Sequence, residues 1–185
     1  MSIFTLPKMI FSNTGWRELA GMPPRLINFL ALVVLPLTLL PPAMLYYAGS
    51  NYGDLFVAGF GAKPWGAIAT VFFLTEIISV LLMGWLIWEM AKWYKLRASI
   101  SDAFMLAGIA PIPMWLSSLC LLIPNIAVDV GIALLALAAG CSLLYRGICA
   151  FCHTREEVSA AGITQTVMSA GMFCWALLLV LTVTL

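Results

Sequence analysis

Trp85-Leu-Ile-Trp-Glu-Met-Ala-Lys-Trp-Tyr-Lys-Leu-Arg97, Ser99-Ile-Ser-Asp102 and Ala107-Gly108-Ile-Ala-Pro111-Ile-Pro113 follow one another in the middle of the chain. The run reads as the end of one membrane helix, a basic turn and the start of the next. Three cations, Lys92, Lys95 and Arg97, stand between two long apolar segments. Positive charge in a short loop marks the cytoplasmic side of a bilayer. Trp88, Trp93 and Tyr94 fall at the same level, where amphipathic rings favour the headgroup zone. The orientation of this turn sets the direction of every other segment.

Working outward, the composition points to the same class. The chain has 185 residues, 63% of them hydrophobic and 9% charged. A soluble domain carries about 25% charged residues, so this one has too little polar surface to cover a water-soluble globule. Apolar runs near the ~20 residues needed to cross a bilayer recur throughout. The expected fold is all-α, a polytopic bundle of five transmembrane helices preceded by a short interfacial amphipathic helix. The net charge of +1 offers no basic footprint for nucleic acid. Five cysteines, Cys120, Cys141, Cys149, Cys152 and Cys174, lie mostly within apolar runs, where cysteine acts as a small hydrophobe. The first residues lack the pattern of a cleaved signal, so insertion is expected to begin with the first span.

Residues 1–25 form the N-terminal segment. Asn13 or Thr14 can cap a short helix through Ala20, ended by Gly21 and Pro23-Pro24. Lys8, Arg17 and Arg25 suit anionic headgroups, which gives an interfacial segment; a disordered tail is the other reading. Residues 26–185 are the membrane domain, with spans at about 26–48, 65–92, 102–122, 126–150 and 162–185. Pro36 and Pro41-Pro42 predict a bent first span. Ser99 and Asp102 have the spacing of a capping box that opens the third. Thr154 and Glu157 have it ahead of the fifth. Pro124-Asn125 is so short a link that spans three and four form an antiparallel hairpin. Asn125 can cap span four, with Asp129 well placed in its first turn. Span four, rich in small residues, is expected to be the central packed helix. Gly108, Pro111, Pro113, Gly131 and Gly140 are the candidate helix-packing positions on spans three and four.

With five spans the cations partition. Lys8, Arg17, Arg25, Lys92, Lys95, Arg97, Arg146 and Arg155 share one side, and Lys63 stands on the other. The expectation is a cytoplasmic N-terminus and a C-terminus on the outer face.

Glu76, in Val71-Phe-Phe-Leu-Thr-Glu-Ile-Ile-Ser-Val80, lies roughly 16 Å along span two from Trp65. A carboxylate there costs about 2.5–3.5 kcal/mol even on the lenient insertion scale. Glu76 is therefore expected to be protonated, or to meet a partner or a wet cavity. Matching depths on antiparallel helices brings Ser117 and Ser118 into consideration. The site is either a proton or substrate site or, the preferred reading, a hydrogen bond between helices. Glu89 and Arg146 fall near the inner interface and form a candidate inter-helix ion pair; two separate snorkelling residues are the alternative.

Cys149-Ala-Phe-Cys152-His153 spells C-x-x-C-H, the attachment pattern of c-type haem. Haem c, or a metal or thiol-redox role, is one reading. The placement of this loop on the cytoplasmic side opposes it, as do Cys149 and Ala150, which still belong to a helix. A zinc site lacks a fourth ligand nearby in sequence. The preferred reading is coincidence, with no cofactor. No nucleotide loop, zinc-protease motif or nucleophile elbow is present, so no catalytic residue is assigned.

Thr14-Gly-Trp-Arg-Glu-Leu-Ala20, Val34-Leu-Pro-Leu-Thr-Leu-Leu-Pro41, Met90-Ala-Lys-Trp-Tyr94 leading into Phe104–Pro113, Leu143-Leu-Tyr145-Arg-Gly147-Ile and the Arg155-Glu-Glu157 loop together resemble the Yip1 family, and within it the small bacterial inner-membrane members. Ile109 departs from the tyrosine the family often carries after the glycine, and the C-x-x-C-H run is not a feature of it. The resemblance implies a five-span bundle with a cytosolic N-terminus. In eukaryotes such proteins assist vesicle traffic and bind small GTPases and each other. No residue here carries that role over, and the resemblance implies no catalytic group. The expected function is a non-enzymatic inner-membrane scaffold, organiser or accessory subunit, partnered by the bilayer and by other membrane proteins or itself. A small proton-coupled transporter or channel using Glu76 is the alternative. A redox or haem-linked subunit using Cys149, Cys152 and His153 is a further one.

Overall fold

A computed structural model describes residues 26–96, 98–151 and 157–184. Five helical stretches among them are long and apolar enough to cross a membrane. They are α1 (Leu26–Leu55), α2 (Trp65–Trp93), α3 (Ile100–Leu122), α4 (Ile126–Phe151) and α5 (Glu157–Thr184). The expected N-terminal amphipathic helix, Arg25, Arg97 and the Thr154 capping box lie outside the described residues.

Two of the five are broken, and proline breaks both. Pro36 has no N–H to give the carbonyl four residues back. The preceding turn widens into a π-helix over Leu30–Val34, where the Leu35 N–H reaches the Leu30 carbonyl instead. A second break follows at Leu39, ahead of Pro41 and Pro42. In α3, regular helix stops at Ile109, resumes at Ile112 and tightens to 3-10 geometry over Ser118–Leu122. The Ser99 hydroxyl accepts from the Asp102 N–H at 3.1 Å and the Asp102 carboxylate reaches back to the Ser99 N–H, closing the box that starts α3. Asn125 Oδ1 accepts from the Ala127 and Val128 N–H groups and caps α4.

The first helix runs past the expected boundary at Ala48, to Leu55. Ser50 and Asn51 bond back to the carbonyls of Tyr46 and Tyr47 rather than opening a turn. Gly49 lies so close to the Trp65 indole that a side chain there would overlap the ring. The connection that remains is short and tied down. The Trp65 indole N–H donates to the Phe60 carbonyl, and Asp54 accepts from the Gly61 N–H.

The main core gathers at one end of the bundle. It joins Ile87 and Ala91 of α2, Ala103, Met105, Leu106, Ala107 and Ile109 of α3, Leu143, Leu144 and Ile148 of α4, and Ala160, Ile163 and Val167 of α5. Span three, not span four, is the central helix: 39% of its most apolar stretch is buried, against 11–22% in the other four. Small residues on α4 permit close approach but do not compel it. Ala136 and Gly140 are buried, while Gly131 and Ala138 are exposed, as are Leu134 and Leu135.

Candidate functional site

Two irregular segments, the π turn of α1 and the break in α3, meet α2 around one side chain, Trp115. The break at Pro111 and Pro113 re-aims the helix that resumes at Ile112, and Trp115 is 2% exposed. It packs with Ile112, with Val80 of α2 and with Val34 of the π turn in α1, and Phe29, Leu30 and Leu37 lie against this cluster. An indole has a wide apolar body and a single N–H that needs an acceptor when buried. The acceptor is Glu76, whose Oε2 receives the Trp115 Nε1–H at 2.8 Å from across the α2–α3 boundary.

The sequence reading placed the partner of Glu76 on the right helix at the right depth but on the wrong side chains. Ser117 and Ser118 turn back to the carbonyls of Met114 and Trp115, at 2.7 and 2.6 Å. A helical serine satisfies itself this way within its own turn, whereas the longer indole crosses to the neighbour. The available signal was a tryptophan in mid-span, away from the interfacial belts where that residue collects.

Glu89 does not form the proposed pair with Arg146. Its carboxylate meets Lys92 at 2.9 Å, three residues along the same helix. Neighbours at that spacing are already within reach, so no cross-helix geometry has to be assembled. The Lys92 ammonium also sits 3.1 Å from the centre of the Trp88 ring.

The packing glycines divide. A Cβ on Gly108 would stand 2.7 Å from Val34 Cγ2 and 3.0 Å from Phe29 Cε1, so this glycine receives the π turn of α1 rather than α4. Gly140 lets α4 approach the Ala110 carbonyl, 3.1 Å from where a Cβ would be. Gly131 meets nothing within 4 Å and is not a packing position; it lies on a part of α4 that faces outward. Pro111 and Pro113 are half-buried at the α3 break. Gly84, which the sequence reading passed over, seats the Phe104 ring at 2.8 Å from its would-be Cβ.

Cys149 is half-buried in the last turns of α4, against the main core. Cys152 and His153 lie outside the described residues. Among the described residues, no three of His, Cys, Asp and Glu come together as a ligand set.

Glu76 can accept a hydrogen bond and can carry a proton, but the indole N–H that meets it can only donate. The pair therefore fixes α2 against α3 and is not itself a proton wire.

The chain matches the model of the Yip1 domain over residues 2–181. It is 30% identical to the inner membrane protein YohC of Escherichia coli K12 over 137 residues, 74% of this chain and 70% of that protein. The YohC of E. coli O6:H1 matches to the same extent. No solved structure matches.

Proposed function

The chain belongs to the Yip1 family, and on that premise we propose that it is a non-enzymatic, multi-pass protein of the inner membrane that works as a scaffold, organiser or accessory subunit. The observation that carries this reading is the Glu76–Trp115 hydrogen bond. The acid nearest the middle of a span is used to hold two helices together rather than to face a second titrating group. The proposed orientation puts the end bearing Lys92 and Lys95 in the cytoplasm, with the C-terminus outside. The experiment is gentle purification from native membrane with identification of co-purifying proteins, paired with a proteoliposome flux assay. Stable partners without solute flux are expected. Robust flux would contradict the reading.

A second reading, a small proton-coupled transporter, is favoured by one feature: Glu76 lies where two proline-broken helices and a π turn converge. Such turns are frequent at functional sites. If that reading holds, Glu76→Gln abolishes flux while the fold is kept. An unchanged phenotype removes it.

A further inference from the structure

Three polar end groups come together where α2 stops against α5. The Tyr94 hydroxyl rests on Gly162: a Cβ on that glycine would stand 2.5 Å from its oxygen. Gln165 is exposed three residues further along α5, on the same face and about 4.5 Å deeper at ~1.5 Å per residue. Lys95, also exposed, directly follows Tyr94. Each of the three side chains can donate a hydrogen bond. Among the described residues none of them makes one, and Lys95 has no ion pair. Neighbouring charges are engaged. Lys92 holds Glu89 and lies over the Trp88 ring, Asp102 is closed into the box that opens α3, and Arg146 has contacts of its own. Lys95 is left as a cation that none of these groups answers.

The level is that of the headgroups, where Trp and Tyr side chains collect. Trp93 is 79% exposed there, and Val158, one turn before Gly162, is 83% exposed. Deeper on the same face of α5, Met172 and Phe173 are exposed as well. Donors at the interface with an apolar track leading inward match the two ends of a phospholipid, phosphate oxygens above and acyl chains below. A free phosphate ion would leave the apolar track uncovered.

We infer that the α2–α5 seam at Tyr94, Lys95 and Gln165 is a headgroup site for an anionic phospholipid. The phosphate accepts from the Lys95 ammonium and the Tyr94 hydroxyl. The Gln165 carboxamide, which donates and accepts at once, meets the ester oxygens or a headgroup hydroxyl. A zwitterionic headgroup brings its own cation to the phosphate, so Lys95 gains less from it, and net negative charge is what the site selects. Gly162 belongs to the site because a side chain there would lift the Tyr94 hydroxyl off its seat.

The test uses the full chain in a neutral detergent, with lipid binding titrated by native mass spectrometry. Dioleoylphosphatidylglycerol is expected to bind more tightly than dioleoylphosphatidylcholine. Lys95→Gln is expected to weaken the anionic lipid about threefold to tenfold, the effect of one cation near a membrane surface, and Lys95→Arg to keep it. Tyr94→Phe and Gln165→Leu are each expected to weaken it about twofold to tenfold. Neither changes the net charge, so a general pull on anionic lipid would leave both like the wild type. The inference is overturned if the two lipids bind equally, or if Tyr94→Phe and Gln165→Leu bind phosphatidylglycerol as the wild type does. Soluble glycerol phosphate that displaces the lipid at equal concentration also overturns it, since the site would then be one for the free ion.

Discussion

The ammonium of Lys63, in the connection between α1 and α2, donates to the backbone carbonyl of Thr182 near the end of α5, at 3.0 Å. Carbonyls in the last turn of a helix have no partner within it, and a cation there also meets the negative end of the helix dipole. The contact joins positions 119 residues apart and puts the first loop and the chain's last turn on one face of the bundle. The basic turn after α2 belongs to the other face, with the starts of α3 and α5. In a chain whose natural cysteines are replaced, an impermeant thiol reagent should label Ala62→Cys and Thr184→Cys from one side and Ser99→Cys from the opposite side. Labelling of positions 62 and 99 from the same side would refute the five-span arrangement.

The Glu76–Trp115 bond should show the asymmetry of a buried polar pair. Trp115→Phe keeps most of the ring and removes the donor, leaving the Glu76 oxygen unsatisfied. The expected loss is about 1–3 kcal/mol. Glu76→Gln retains an acceptor and should cost less. Replacing both partners, Trp115→Phe with Glu76→Leu, should recover much of the loss, because two apolar groups leave nothing unpaired. Unfolding of the wild type, Trp115→Phe, Glu76→Leu and the double variant in mixed micelles gives the coupling energy, and additive losses would mean that the bond contributes nothing.

The glycines offer a paired prediction. A methyl group at Gly84 would stand 2.8 Å from the Phe104 ring, at the contact between α2 and α3. Gly84→Ala should destabilise by about 1–3 kcal/mol, the usual cost of overpacking. A methyl group at Gly131 meets nothing. There the better helix propensity of alanine should prevail, and Gly131→Ala should be neutral or stabilising by up to about 1 kcal/mol. Thermal melts in one detergent separate the two, and equal effects would mean that this part of α4 is covered.

These glycines also show where sequence reading ends. Hydropathy set the number of spans, and cap chemistry set their starts at Ser99 and Asn125, because both signals are local. The π turn at Leu30–Val34 was legible only as a bend, since Pro36 says that a carbonyl is freed but not how the chain accommodates it. Partners were less accessible. Whether Gly131 or Gly84 seats a neighbour, or whether Trp115 or Ser117 reaches Glu76, depends on how the helices are rotated about their axes. In a chain that is 63% hydrophobic, almost every face of a helix is apolar. Periodicity then carries little information about rotation, and only close packing decides it.

Lys95 supplies the last prediction. It adopts φ 55°, in the left-handed region, just after the end of α2. The Leu96 N–H reaches back to the Ala91 carbonyl at 2.8 Å, the wide closing bond of a helix stop that ordinarily places glycine where Lys95 stands. A lysine in that conformation costs about 1–2 kcal/mol. What the position gains in return is a cation in the turn that the proposed orientation places in the cytoplasm. Lys95→Gly should therefore raise the melting temperature while lowering the fraction of chains inserted in the native orientation, whereas Lys95→Arg should leave both unchanged. Melting in detergent reads the first effect and thiol accessibility at position 99 in membranes reads the second. A glycine variant that is no more stable would mean that the αL strain is relieved in some other way, and one that inserts as well as the wild type would mean that Lys92 and the remaining basic residues suffice to hold the orientation.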